Sequence, residues 1–170
     1  MVREEISLNM PYKVVHIPNV EADDIIGTLV EQTQEFGQHE DVMIISADKD
    51  FIQLQKYGNV KQYSPMTKKF IKDENPHSYL FEHVLKGDSS DGIPNVLSGD
   101  DTFVESIRQS PMTKKKIQEY VDNAENLQSY MSDEVYRNYK RNQLLVDLAY
   151  IPAEIKKSII DTSEAVKVPH

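Results

Sequence analysis

Residues 42–51 read VMIISADKDF, and the reading of this stretch decides the fold. Val42–Ile45 is a continuous apolar run of strand length, the pattern of a parallel strand covered on both faces. Two carboxylates, Asp48 and Asp50, follow directly, and Phe51 and Ile52 then return toward a core. In open α/β sheets, sites form beyond the carboxyl ends of the strands. A strand that runs out into Asp-x-Asp therefore predicts an α/β layer and the place of its site together. The plainer alternative is a polar turn with an Asp N-cap. An EF-hand loop is a poor fit, because Ile52 and Gln53 stand where an oxygen ligand and a glycine are required.

Working outward, Lys13–Ile17 (KVVHI) is a strand candidate. Apolar residues at Ile25, Ile26, Leu29, Val30 and Phe36 give Val20–Phe36 a helical period, with Gly37 as its stop. Val60–Tyr63 is a short strand ended by Ser64-Pro65, and Met66–Lys72 is expected to pair back as a hairpin. The strand–helix–strand order predicts α/β architecture with a partial parallel sheet and flanking helices. From Pro76 the pattern turns helical. Pro76–Lys86 opens with proline in its first turn and stops at Gly87. A loop spans Gly87–Asp100, and further helices are expected over Asp101–Gln109, Thr113–Asn123, Asp133–Leu148 and Ala153–Ile160. The division that follows is a partial α/β core over 1–86 and a helical region over 87–170. Three strands make a thin sheet for this class, which predicts that more of it is supplied from elsewhere.

The chain has no cysteine, so thiolate metal sites and thiol nucleophiles are excluded. No apolar run approaches the roughly 20 residues that span a bilayer, and a cytoplasmic protein without a membrane partner is expected. The formal net charge of −9 argues against a simple DNA-coating protein. Seven acids fall in three clusters, however, and without them the balance is −2.

The first cluster is Glu21, Asp23 and Asp24, opening a helix. Acids are favoured there by the helix dipole, but three in four residues exceed what capping needs. The second is Asp48 and Asp50. The third is Asp88 and Asp91 in Gly87-Asp88-Ser89-Ser90-Asp91-Gly92-Ile93-Pro94, which a surface turn alone would also explain. Between Asp24 and Asp48 lie 23 residues, and between Asp50 and Asp88 lie 37. All three clusters sit at element ends. Hard oxygen ligands suit Mg²⁺ or Mn²⁺, not zinc, and carboxylates that converge repel one another unless cations lie between them. Two cations about 4 Å apart are a known solution for phosphodiester hydrolysis.

Glu-Ala-Asp-Asp, then Ser-x-Asp-x-Asp-Phe, then Gly-Asp-x-Ser-Asp-Gly-Ile-Pro resembles the 5′-nuclease superfamily of flap endonucleases and 5′→3′ exonucleases. Asn59–Pro65, Leu85–Asp88 and Tyr139–Pro152 are similar to the RNase H of T-even bacteriophages. The resemblance implies a Mg²⁺-dependent nuclease of DNA replication with two ions, Mn²⁺ substituting. It implies catalytic and metal-binding roles for Glu21, Asp23, Asp24, Asp48, Asp50, Asp88 and Asp91. The region after Asp91 matches the family's helix-three-turn-helix element, which grips duplex backbone. There Asn95–Asp101 replaces the usual glycine-rich hairpin, which puts a monovalent-ion site in question. Family members also carry an N-terminal strand, further aspartates and a basic arch, whereas only 20 residues precede Glu21. The resemblance therefore covers about the second half of a complete nuclease. A separate N-terminal fragment or a homodimer, with an exposed apolar strand edge otherwise, is the expected consequence.

Candidate DNA contacts are Thr113, a good N-cap, with Lys114, Lys115 and Lys116, and Arg137, Lys140 and Arg141 at helical spacing. A solvated face is the competing reading, since seven basic residues are balanced by seven acids between Asp101 and Leu145. His16, His39, His77, His83 and His170 show no metal-ligand spacing and are given no role. Tyr57, Tyr63, Tyr79 and Phe81 are expected in the core.

The first functional expectation is thus cleavage of 5′ ends, flaps, duplex DNA or RNA–DNA primers, in the host cytoplasm if phage-encoded, with a single-strand DNA-binding protein as a further partner. The second is a non-catalytic module that binds duplex or branched DNA. A phosphatase of the haloacid-dehalogenase kind also places Asp-x-Asp after a strand, but its usual threonine is Ile52 here.

Overall fold

The computed structural model describes residues 2–35 and 39–168. The expected end of the second helix at Phe36 and Gly37, and His170, lie outside them. The chain forms two compact units, one of residues up to Val42 together with those from Ile151 onward, the other Met43–Tyr150.

In the first unit, α1 (Val2–Asn9) precedes α2 (Ala22–Gln34), and α7 (Ala153–Ala165) completes it. Helix α7 runs past the expected end at Ile160. It packs on α2, with Ile159 fully buried and Lys156 Nζ 2.5 Å from Glu31 Oε2. The strand expected at Lys13–Ile17 is not formed: the segment has no ladder partner among the described residues. An apolar alternation becomes a strand only when a neighbour takes its backbone hydrogen bonds.

The second unit holds a three-stranded sheet in the order β1 (Val42–Ile45), β2 (Val60–Ser64), β3 (Lys69–Ile71). The hairpin is as expected, with β2 and β3 antiparallel and Tyr63 opposite Phe70. The sheet is therefore mixed rather than purely parallel. Strand β1 has its predicted bounds but not its predicted burial. Ile44 is buried, whereas Met43 and Ile45 are 48% and 69% exposed. One face of β1 lacks a covering layer, and β1 is an edge of the sheet.

Helix α3 (Pro76–Lys86) is bounded as predicted, and the causes are local. The Asn75 side chain accepts from Ser78 N–H, and proline opens the first turn. At the other end Gly87 has φ +65°, and a Cβ there would stand 2.4 Å from the Ile93 carbonyl oxygen. Only glycine permits both the left-handed backbone and the close return of the following loop.

Helices α4 (Lys114–Asp122), α5 (Leu127–Tyr130) and α6 (Asp133–Val146) follow. Thr113 caps α4 through Lys116 N–H, and Ser132 caps α6 through Val135 N–H. Leu85, Val96, Ile117, Tyr120, Leu127 and Met131 form the core they enclose, with Phe81 packed against it. The helix expected at Asp101–Gln109 is a run of turns. Glu105 N–H reaches Asp101 C=O, but Ser106 adopts φ +56°, and Phe103, Val104 and Ile107 stay exposed. A short helix with no face to bury does not repay its nucleation.

Candidate metal centre

Asp48 and Asp50 leave β1 through a turn that is hydrogen-bonded at each step. Ser46 N–H donates to Tyr63 C=O, and Asp48 N–H donates to Ser46 Oγ. Asp48 Oδ1 accepts from Asp50 N–H at 3.0 Å, capping a 3₁₀ helix over Lys49–Lys56. The capping role weighed in the sequence is real, and Asp48 remains exposed. Phe51, Ile52, Gln53 and Leu54 return to the core and anchor the turn from behind.

Helix α3 packs against this 3₁₀ helix. It brings His83 to Asp50, with Nδ1 3.4 Å from Oδ1. The other ring nitrogen, Nε2, lies 3.5 Å from Asp88 Oδ2. Both distances exceed a good N–H···O bond, and His83 Nδ1 is buried without a hydrogen-bond partner. One ligand atom from each of Asp50, His83 and Asp88 falls within 4.8 Å of the others. A lone histidine carries no spacing signal, and only the packing of α3 reveals that His83 stands between these two acids. Tyr79, one turn earlier, stands edge-on to His83 with centroids 6.0 Å apart. It belongs beside the acids rather than to the core. Burial, then the charges of Asp50, Asp73, Asp48 and Asp88, push its phenol up.

The electrostatics fit a bound cation. Burial raises the Asp50 carboxyl above its ordinary range; His83 opposes this, and Asp48, Asp88 and Asp91 add to it. Asp88 goes the other way. Its carboxylate accepts from the Ser90 hydroxyl and from backbone N–H groups of Ser90 and Asp91, which hold it below the usual range. The Asp88–Asp91 loop closes through Ile93 N–H to Asp88 C=O at 2.7 Å. Half-buried like-charged oxygens are the donor type that suits a hard divalent ion.

The other predicted residues are placed as follows. Glu21 is the N-cap residue of α2 without a side-chain capping bond, and Asp23 and Asp24 occupy its half-buried first turn, in the first unit. Lys114 and Lys115 are exposed at the start of α4. Lys116 lies 3.4 Å from Glu119 and 5.4 Å over the Tyr120 ring. Lys140 donates to Gln143. Arg137 and Arg141 both bind Asp100, at 2.9 and 2.5 Å.

Residues 76–170 match the family described as T4 RNase H, C terminal, and residues 2–82 match the 5′-3′ exonuclease, N-terminal resolvase-like domain. The Ribonuclease H of Enterobacteria phage T4 is 35% identical over 173 residues, covering 99% of this chain and 56% of that protein. The 5′-3′ exonuclease of Buchnera aphidicola subsp. Schizaphis graminum is 37% identical over 102 residues, covering 56% of this chain and 33% of that one. The chain thus spans about half the length of the first relative and a third of the second. Among solved structures, the T5 D15 protein co-crystallised with metal ions shares the fold. Its TM-score is 0.52 at 21% identity, over 88% of this chain and 62% of that chain.

Proposed function

The chain belongs to the 5′-nuclease superfamily, within the T4 RNase H C-terminal family, and on that premise we propose that it is the metal-binding and duplex-gripping part of a Mg²⁺-dependent 5′-nuclease. One observation carries the reading: Asp50 and Asp88, from different elements, approach the two nitrogens of one half-buried histidine. Asp48, Asp50, Asp88 and Asp91 are the ligands proposed on this unit, and Glu21, Asp23 and Asp24 those proposed on the other by the family pattern. When bound, a pair of Mg²⁺ ions, or Mn²⁺ in their place, supplies an activated water and screens the leaving oxygen. The protein's own part is to hold the carboxylates apart and aimed. Asp48 is fixed by the turn it caps, Asp88 by its Ser90 bonds, and Asp50 by the buried residues that follow it.

The proposed substrates are flapped or nicked duplex DNA and RNA–DNA primers, in phage replication within a host cytoplasm. Thr113, Lys114, Lys115 and Lys116 present a capped helix start to a phosphate, with Lys114 and Lys115 exposed and Lys116 shared with Glu119, and Lys140 extends the basic surface. Arg137 and Arg141 are held by Asp100, so any phosphate contact from them competes with that pairing. On this reading, residues 1–86 contribute part of the nuclease core and residues 87–170 the duplex grip. The uncovered face of β1 supports a partner that completes the sheet: an N-terminal nuclease fragment or a second copy. A single-strand DNA-binding protein is a further proposed partner.

The test is Mg²⁺-dependent incision of a 5′-flap duplex, by the chain alone and with a fragment that supplies the N-terminal half of a relative. Incision lost in Asp48→Asn/Asp50→Asn is the expected result. Cutting that survives the double variant assigns the activity to another site. Flap binding without incision in either arrangement favours the non-catalytic module.

A further inference from the structure

Strand β2 carries polar residues where its pattern calls for apolar ones. Val60, Gln62 and Ser64 point inward, and Gln62 is only 1% exposed. Its Nε2 donates to two carbonyl oxygens, of Ser46 at 3.1 Å and of Asp48 at 2.5 Å. Its Oε1 accepts from Gln55 Nε2 at 3.3 Å. Gln55 is fixed in turn: its Nε2 also donates to Ile71 C=O at 3.2 Å, and its Oε1 accepts from Asp73 N–H at 3.1 Å. Both protons and the oxygen of the Gln62 amide are therefore used.

An apolar side chain would fill the same space without leaving polar groups to satisfy. What the amide adds is a grip on the backbone of the turn that carries the acids. Gln62 holds the Asp48 carbonyl, and the Asp48 carboxylate holds the Asp50 N–H. The chain of bonds runs from the buried hairpin to both acids in two steps.

We propose that Gln62, oriented by Gln55, is a positioning residue that sets the Asp48 and Asp50 carboxylates for a divalent cation. The proposal rests on the metal-dependent reading above and deepens it. Groups that orient metal ligands typically change metal affinity about 10–100-fold when removed.

The test compares Gln62→Met, which keeps length and removes both donors, with Val60→Ala, which opens a buried site in the same strand without touching the turn. Each full chain is titrated with Mn²⁺ and followed by the electron paramagnetic resonance signal of the free ion. Exchange of the Asp50 amide proton is measured separately without metal. Gln62→Met is expected to bind Mn²⁺ about 10–100-fold more weakly and to exchange the Asp50 amide faster. Val60→Ala is expected to match the parent in both, even where it lowers thermal stability as much. Parent-like values in Gln62→Met, or equal losses in Val60→Ala, overturn the inference. A parent chain that binds no Mn²⁺ overturns the cation reading itself, while the amide-exchange arm still decides whether Gln62 holds the turn.

Discussion

Two regions of the Met43–Tyr150 unit gather charge, and they do so in opposite ways. Around Asp100 the chain supplies its own cations. Arg137 and Arg141, one turn apart on α6, pair with that carboxylate, and the Arg141 hydrogen bond above all holds it below its ordinary range. Arg141 also donates to Pro94 C=O at 3.0 Å. Beside it, Asn138 takes the Val96 and Ser98 carbonyls, and Asn142 those of Val84 and Pro94. Around Asp50 burial above all pushes the carboxyl up; a single histidine opposes this, and Asp48, Asp88 and Asp91 add to it. An acid matched by a guanidinium from its own chain serves as a strut. Acids that face one another call for charge from outside.

The comparison breaks most visibly at Arg141. Its side chain is 19% exposed, and Arg141→Met removes one of two donors from each of two acceptors: Pro94 C=O keeps Asn142, and Asp100 keeps Arg137. A loss of about 2 kcal/mol is expected, in line with hydrogen bonds to charged groups, and urea unfolding measures it. A loss near zero would make the Asp100 cluster ornamental.

Asp50→Asn should shift stability in the other direction. A carboxyl raised in the fold contributes stability below its unfolded value, near 4, and loses it as pH rises through the higher folded value. Without divalent ions at pH 7, the asparagine variant is therefore expected to be more stable than the parent, by on the order of 1 kcal/mol. The gap should close in acid, and Mg²⁺ should reverse the order by binding the folded parent. Thermal melts at pH 7 and pH 4, with and without Mg²⁺, decide it. A destabilised variant in metal-free buffer would show that the acids are already balanced.

The smallest effect belongs to Asp100→Asn. A lowered carboxyl contributes stability above its unfolded value and loses it as pH falls through the folded one. Asp100 is 59% exposed, so a cost of only a few tenths of a kcal/mol is expected at pH 7. It should fade below pH 4, and a cost that persisted there would not be electrostatic.

Much of this was legible in the chain. The turn at Asp48, the loop at Asp88 and the cap at Thr113 were all marked by residues within a few positions of where they act. His83 was not, because nothing near it in sequence signals a ligand; its two partners come from other elements. Gln62 had a faint signal, a long polar residue at an inward position of a strand. Arg141 read as a DNA contact or a solvated charge because Asp100 lies 41 residues away in sequence. Residues 101–109 and Lys13–Ile17 carried the right apolar spacing but lacked a surface to bury it or a strand to pair with.

The sequence by itself determined the bounds of β1 and α3 and the start of α4 and α6, and which acids stand at element ends. Caps, prolines, glycines and apolar runs act through the backbone next to them, so their effect is present before the chain is compact. Only the tertiary structure decided that Asp50 meets Asp88 across His83 while Asp100 meets two arginines. Those interactions fall off within a few ångströms, and until α3 packs on the turn after β1, and α6 on the loop after Asp91, there is no neighbour for them to act on.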